Sequence, residues 1–86
     1  MIIVKAVGHI RRSLGAETVE LDERGIGAVD LIERLRERAR EGPDLGFTKF
    51  NTLIVVNGGQ AFIPAAEDRK LKDGDEVLLL PISHGG

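Results

Sequence analysis

Cysteine is absent from the 86-residue chain, which excludes disulfides, zinc–thiolate sites and a cysteine nucleophile. Any sulfur chemistry therefore cannot use a thiol of this chain. Tryptophan and tyrosine are absent too, so aromatic platforms for single-stranded nucleic acid are poorly supplied. The formal net charge is only −2, which gives no basic footprint for nucleic acid or for an anionic membrane.

Long apolar runs are also missing, and the apolar N-terminal stretch precedes its charges, unlike a secretory signal. We therefore expect a cytoplasmic protein of one domain. Its two histidines, His9 and His84, are far apart and have no acidic or cysteine cluster beside them, so we expect no metal site. The segment 25–27 (GIG) lacks the third glycine of a dinucleotide-binding loop, and we interpret it as the flexible start of a helix.

Alternating apolar residues predict strands in the first quarter of the chain. A strand is expected over about residues 1–12, with Ile2, Val4 and Ala6 on one face. Alternation resumes in residues 17–21 (ETVEL) after a short stretch that contains Gly15. The two segments together predict a hairpin.

One segment has strong helical periodicity. Its apolar residues follow the i, i+3, i+4, i+7 spacing between charged ones, and they are Ala28, Leu31, Ile32, Leu35 and Ala39. This predicts an amphipathic helix over residues 27–41. Gly42 and Pro43 should end it, because proline cannot continue a helix.

The second half of the chain reads as strands and turns. Strands are predicted in the segments TLIVV (52–56), QAFIP (60–64) and EVLLLPI (76–82). Asn57-Gly58 is a tight-turn signal, and residues 65–76 read as a polar loop with a turn at Gly74. Phe47 and Phe50 lie in the connector before the first of these strands, and we expect both to tuck under the sheet edge.

The resulting order, β-β-α-β-β-β, predicts an α+β protein with the β-grasp fold. A mixed sheet of four to five strands would carry one main helix on one face, because neither layer can bury its apolar side alone. In the last strand Val77 and Leu79 should face the helix, and Leu78 and Leu80 should face outward. Residues 1–82 would form the domain, and 83–86 a flexible C-terminal tail.

The C-terminal motif resembles that of a known family. Its pattern is L-x-D-G-D-x-V, then apolar residues with a proline, then a terminal Gly-Gly; the matching residues are Leu71, Asp73, Gly74, Asp75, Val77, Pro81, Gly85 and Gly86. This resembles the ubiquitin-like sulfur carriers, which include the small subunit of molybdopterin synthase (MoaD) and the thiamine-pathway carrier (ThiS). The strand and turn at 55–58 (VVNG) match as well. The layout of the whole chain resembles the MoaD type, and the tail is similar to carriers that double as protein modifiers.

The resemblance implies a carrier protein and not an enzyme. The Gly86 carboxylate would be adenylated by a ubiquitin-activating-type enzyme and converted to a thiocarboxylate that donates sulfur in molybdopterin, and so molybdenum cofactor, biosynthesis. The large subunit of molybdopterin synthase is a further candidate partner. No bound cofactor is implied, since ATP belongs to the activating partner. Two alternatives stay open: a protein modifier joined through Gly86 to lysines, and a stand-alone β-grasp interaction module with an inert end.

The residue types at the C-terminus suit this chemistry. Gly85 and Gly86 have no Cβ, so their backbone can approach a ligand closely inside a partner's nucleotide pocket. From Ile82 onward the extended chain reaches at most roughly 17 Å, and Ser83 and His84 complete this tether. The expected docking surface is an apolar patch on the outer sheet face, formed by Leu78, Leu80, Phe62 and Ile82.

Overall fold

The computed structural model describes residues 1–39 and 46–82. Within them the chain forms six strands and two helices, in the order β1 (Ile2–Ala6), α1 (Gly8–Leu14), β2 (Thr18–Leu21), β3 (Gly25–Gly27), α2 (Ala28–Arg38), β4 (Thr52–Val56), β5 (Lys70–Lys72) and β6 (Glu76–Pro81).

Four of the strands form a mixed sheet in the order β2-β1-β6-β4. The central pair β1–β6 is parallel, and the two outer pairs are antiparallel. The first and last strands of the chain therefore lie side by side in the middle of the sheet. β3 and β5 pair separately as a small antiparallel ribbon.

The hydrophobic core lies on one face of the main sheet. Alternate residues of β1, β4 and β6 are buried there in one cluster with the apolar stripe of α2; its members include Ile2, Val4, Ala6, Ile54, Val77, Leu79, Leu31, Ile32 and Leu35. The predicted inner faces of the first and last strands are confirmed, as is the buried side of α2. Phe47 is buried in the same cluster, also as predicted.

The prediction of one long strand over residues 1–12 was wrong. β1 ends at Ala6, Gly8 adopts a φ of +63°, and α1 follows. The helix is short, but it buries Ile10 and Ser13 and ends at a left-handed Gly15, whose N–H donates to the carbonyl of Arg11 at 3.0 Å. β1 and β2 do pair antiparallel, but α1 connects them where a tight hairpin link was expected.

Helix α2 is shorter than predicted. Ala39 is already extended, with φ −67° and ψ 140°, so the helix ends at Arg38 before residue 41; Gly42 and Pro43 lie outside the described residues. At its start, Gly27 supplies no side-chain cap. The Asp68 carboxylate takes that role and accepts a hydrogen bond from the Val29 N–H at 2.9 Å.

Two further segments differ from the prediction. Residues 65–76, expected to be a polar loop, contain β5, whose Leu71 is fully buried opposite Ile26 of β3. The strand expected over 60–64 is reduced to one isolated bridge between Ile54 and Phe62. Both elements depend on contacts with residues distant in sequence, which a local pattern does not show.

The motif that carried the family resemblance has a structural role. Asp75 is 8% exposed, and its carboxylate accepts hydrogen bonds from the Asn57 side-chain amide at 3.0 Å and from the Lys72 N–H at 2.8 Å. Asn57 and Gly58 both have positive φ values, which confirms the tight turn. The VVNG and DGD segments are thus partners in one hydrogen-bonded junction.

Candidate functional site

The end of β6 is the root of the tail. Pro81 is the last residue of the strand, and Ile82 is the last described residue of the chain. The predicted site residues Ser83, His84, Gly85 and Gly86 lie outside the described residues, so their roles stay predictions. The structure does describe how the chain arrives at them.

Pairing ends on both sides of β6 at this root. On the β1 side the last pair is Ala6 with Leu79, and Pro81 has no N–H with which to extend it. On the β4 side the Ile82 N–H donates to the Asn51 carbonyl at 3.0 Å. The Asn51 N–H donates to the Thr48 carbonyl at 3.3 Å. Because Asn51 turns away from β6 in this manner, the Ile82 bond is the last described backbone bond before the tail.

Because Gly8 has no side chain, the chain just after β1 can pack closely against Pro81. A Cβ built on Gly8 would lie 3.2 Å from Cγ of Pro81, which is tighter than an ordinary van der Waals contact. Gly8 also has a φ of +63°, which side chains other than glycine adopt at a cost. Glycine here therefore serves both the turn into α1 and the packing of Pro81.

The outer face of β4 and β6 carries a contiguous apolar surface. Leu78 and Leu80 point away from the core and are half-buried, as predicted. Val55 lies opposite Leu78 and Leu53 opposite Leu80, also half-buried. These four residues together with the half-buried Ile82 are called the outer patch below. The patch continues from the middle of the sheet to the root of the tail.

An ion pair borders the outer patch at its far end. Lys5 Nζ lies 2.8 Å from Glu76 Oε1, and Lys5 is in register with Leu78. Hydrogen bonding to the Glu76 carboxylate, followed by its charge, raises the pKa of Lys5 above its ordinary value. A shallow cleft runs between this pair and the Asn57-Gly58 turn. The surface therefore changes from polar to apolar toward the tail.

Phe62 does not belong to this surface, so its assignment as a docking residue was wrong. Its ring is 7% exposed and lies in the core cluster, because its backbone bridges Ile54 with hydrogen bonds of 2.8 and 3.0 Å. The Arg69 guanidinium lies 4.2 Å from the ring centroid. Phe62 thus belongs to the hydrophobic core, and the Arg69 side chain covers its ring.

Phe50 was missed as a surface residue. Phe50 was expected to be buried, but its side chain is 68% exposed, directly before the Asn51 that holds Ile82. Val7 is 42% exposed, and its N–H donates to the Leu79 carbonyl at 3.3 Å. The alternation of β1 through Lys5 places Val7 on the outer side, in agreement with this exposure. Nothing in the connector sequence separates Phe50 from the buried Phe47.

The described residues contain no group of three or more His, Asp or Glu side chains that could hold a metal ion. His9 is half-buried in α1. Neither helix of residues 1–39 and 46–82 is long and apolar enough to cross a bilayer.

Solved structures with the same architecture cover nearly the whole chain. The putative molybdopterin converting factor subunit 1 of Pyrococcus furiosus is 28% identical, with a TM-score of 0.67 over 95% of this chain and 97% of that one. SAMP1 of Haloferax volcanii is 22% identical, with a TM-score of 0.68 over 99% and 98%. The small archaeal modifier protein 1 of Methanosarcina acetivorans is 22% identical, with a TM-score of 0.66 over 99% and 95%.

The chain has the ubiquitin-like β-grasp fold. The resemblance found in the sequence is confirmed, since the structural neighbours are MoaD-like and SAMP1 proteins. No protein-family model matches the sequence, and no curated protein matches it either.

The residues of the C-terminal motif stabilise the β-grasp domain itself. Asp75 and Asn57 tie β6 to the end of β4, and Gly74 has a φ of +93° while its N–H donates to the Met1 carbonyl at 2.9 Å. The motif therefore fixes where β6 begins. The other end of the same strand delivers the outer patch and the tail.

Proposed function

We propose that this protein is a ubiquitin-like sulfur carrier that works through the carboxylate of Gly86. The supporting observation is β6, which lies in the middle of the sheet, carries the half-buried Leu78 and Leu80 on its outer face, and is followed five residues later by the terminal Gly86. A stable domain, an apolar surface and two glycines without side chains thus follow each other along the sequence.

The proposed chemistry proceeds in two steps on a partner enzyme of the ubiquitin-activating type. The Gly86 carboxylate attacks the α-phosphate of ATP and forms an acyl-adenylate, with release of pyrophosphate. Hydrosulfide from the partner system then attacks the carbonyl carbon; the C–O bond to AMP breaks, AMP leaves with the electron pair, and the thiocarboxylate remains after loss of a proton. The sulfur must come from outside, because this chain contains no cysteine.

Docking and chemistry are divided between the outer patch and the tail. The outer patch contacts the activating enzyme, and the four residues beyond Ile82 reach at most roughly 14 Å when extended. Ser83 and His84 act as the tether, while Gly85 and Gly86 enter the nucleotide pocket without side-chain bulk.

The Pyrococcus neighbour's name, molybdopterin converting factor, favours sulfur donation to molybdopterin, with a synthase large subunit as a later partner. A cytoplasmic location is part of the same proposal.

The test uses the purified chain, ATP and a candidate activating enzyme, with intact-mass detection. We expect the acyl-adenylate and, with a sulfur donor, the mass change of one oxygen replaced by sulfur at the C-terminus. The control is a variant with one alanine appended after Gly86, which should give neither product. If the wild-type chain remains unmodified or the extended chain reacts equally well, the proposal is wrong.

A protein modifier is the second candidate, and two neighbours favour it, since one is named a small archaeal modifier protein and both are SAMP1. Activation of Gly86 would be the same, but the acceptor would be a lysine amine. Mass spectrometry of the protein from its native cells separates the two. A C-terminal thiocarboxylate supports the carrier, and branched peptides that join the chain's C-terminal residues to lysines support the modifier.

An inert interaction module is the remaining alternative. In that case the alanine extension after Gly86 would change no cellular function. A metabolic defect in cells that carry only the extended chain would contradict it.

A further inference from the structure

A small turn next to β4 contacts Ile82, the residue at which the tail begins. Residues 48–51 (TKFN) precede β4, and the Asn51 carbonyl accepts the Ile82 N–H at 3.0 Å. β6 makes no further pair with β1 beyond Leu79. Among the described residues, the Asn51 carbonyl is thus the backbone acceptor that holds Ile82 at the end of the sheet.

The Asn51 side chain fixes the position of that carbonyl. Its Oδ1 accepts hydrogen bonds from the Thr48 N–H at 2.7 Å and from the Thr52 hydroxyl at 3.4 Å. The Thr48 hydroxyl in turn accepts from the Phe50 N–H at 3.2 Å. A side-chain oxygen that accepts such local backbone bonds stabilises a turn in place of a regular ladder. Thr48, Phe50 and Asn51 are therefore held relative to β4.

We infer that Asn51 is a positioning residue for the reaction at Gly86, an inference that rests on the proposed function. The Asn51 side chain holds the turn, the turn holds the carbonyl, and the carbonyl holds Ile82, where the tail begins. Asn51 does not touch the reacting atoms. Its effect is on the fraction of docked molecules whose C-terminus meets the nucleotide.

The position of this bond at the root makes it effective. The four residues beyond Ile82 span at most roughly 14 Å when extended, so release of Ile82 from β4 would move the point from which Gly86 must reach the nucleotide. A misplacement of about 1 Å can lower the rate of a positioned reaction by about a hundredfold. Asn51 contacts only the Ile82 end of the outer patch, and the four other residues of the patch are placed by the pairing of β4 with β6, so most of the docking surface should remain.

The experiment compares Asn51→Ala with Asn51→Asp in the adenylation assay with the activating enzyme and ATP. Loss of the Oδ1 acceptor in Asn51→Ala should lower kcat about tenfold or more with KM unchanged, as expected for lost positioning. Asn51→Asp keeps an oxygen acceptor for the Thr48 N–H and should retain near wild-type kcat. Amide hydrogen exchange at Ile82 should be faster in the alanine variant than in the wild type and the aspartate variant.

Three results would overturn the inference: equal kcat for Asn51→Ala and wild type, equal loss in both variants, or a rise in KM alone. Thermal unfolding, recorded for both variants, confirms that each is folded at the assay temperature. Failure of the proposed function looks different, because then the wild-type chain itself is not adenylated. In that case the inferred role of Asn51 in the reaction is wrong as well, whatever the rate of amide hydrogen exchange at Ile82.

Discussion

The two faces of β6 have different environments although their residues are nearly the same. Val77 and Leu79 have no exposed surface, whereas Leu78 and Leu80 next to them are half-buried. A monomer with a single helical layer can bury only one side of its sheet, so the other side stays available. Four leucines and valines in one strand therefore divide into residues that hold the fold and residues that can bind.

The largest expected effect is a loss of stability when a residue on the inner face of β6 is truncated. Leu79→Ala should lower the free energy of unfolding by about 2–5 kcal/mol, because it opens a cavity in the core. The matched variant Leu78→Ala should cost about 1 kcal/mol or less, since its side chain is already partly hydrated. Urea denaturation with unchanged m-values measures both. Equal losses would show that the two faces are not different in packing.

The second prediction tests the outer face. Leu80→Asp should leave the circular dichroism spectrum unchanged but raise KM for the activating enzyme about tenfold or more, because a buried interface anchor becomes charged. The control is Thr18→Asp, which adds the same charge to the same sheet face on the edge strand β2. A loss of folding in Leu80→Asp would contradict the face assignment, and equal KM values for both variants would contradict the docking surface.

The smallest expected effect concerns the polar border of the outer face. The raised pKa of Lys5 means that its charged form is favoured in the folded state by Glu76. That contribution is present below the ordinary pKa of 10.5 and is lost as the pH rises through the folded-state value. Glu76→Gln should lower the melting temperature slightly at neutral pH, and the difference from wild type should vanish well above pH 10.5. A difference that persists there would assign it to something other than the ion pair.

The features with strong local signals were predictable from the sequence. The apolar stripe of α2, the buried segment of β4 and the alternation of β6 all lie where the periodicity indicated. Each is an element whose side-chain pattern and packing partners agree. The β-grasp class followed from their order.

The missed elements depend on distant contacts. α1 has seven residues and β5 has three, too few for a period to be recognised. β5 exists because Leu71 meets Ile26 across the ribbon. Phe62 was misassigned for the same reason, since its burial follows from the bridge to Ile54. The Asp68 cap of α2 joins residues 39 positions apart and has no local signature.

The residues of the candidate site also fall into two groups: those that the local sequence predicts and those that depend on distant contacts. Outer positions of β6 could be predicted by alternation, but Leu53 and Val55 enter the patch through the register of β4 against β6. Phe50 and Asn51 enter the site because the turn that contains them meets Ile82. The C-terminal glycines carry a chemical signal in the sequence and lie outside the described residues.

The pairing of the first strand with the last has a consequence for biosynthesis. β1 cannot gain its central neighbour until β6 has been translated and has left the ribosome, and such non-local pairing slows folding compared with local contacts. A polypeptide interrupted just before β6 would leave unpaired the edges of β1 and β4 that face β6, and such edges are open to aggregation. Synthesis through the last strand is thus a condition for a folded body, and so also for presenting the diglycine that follows it.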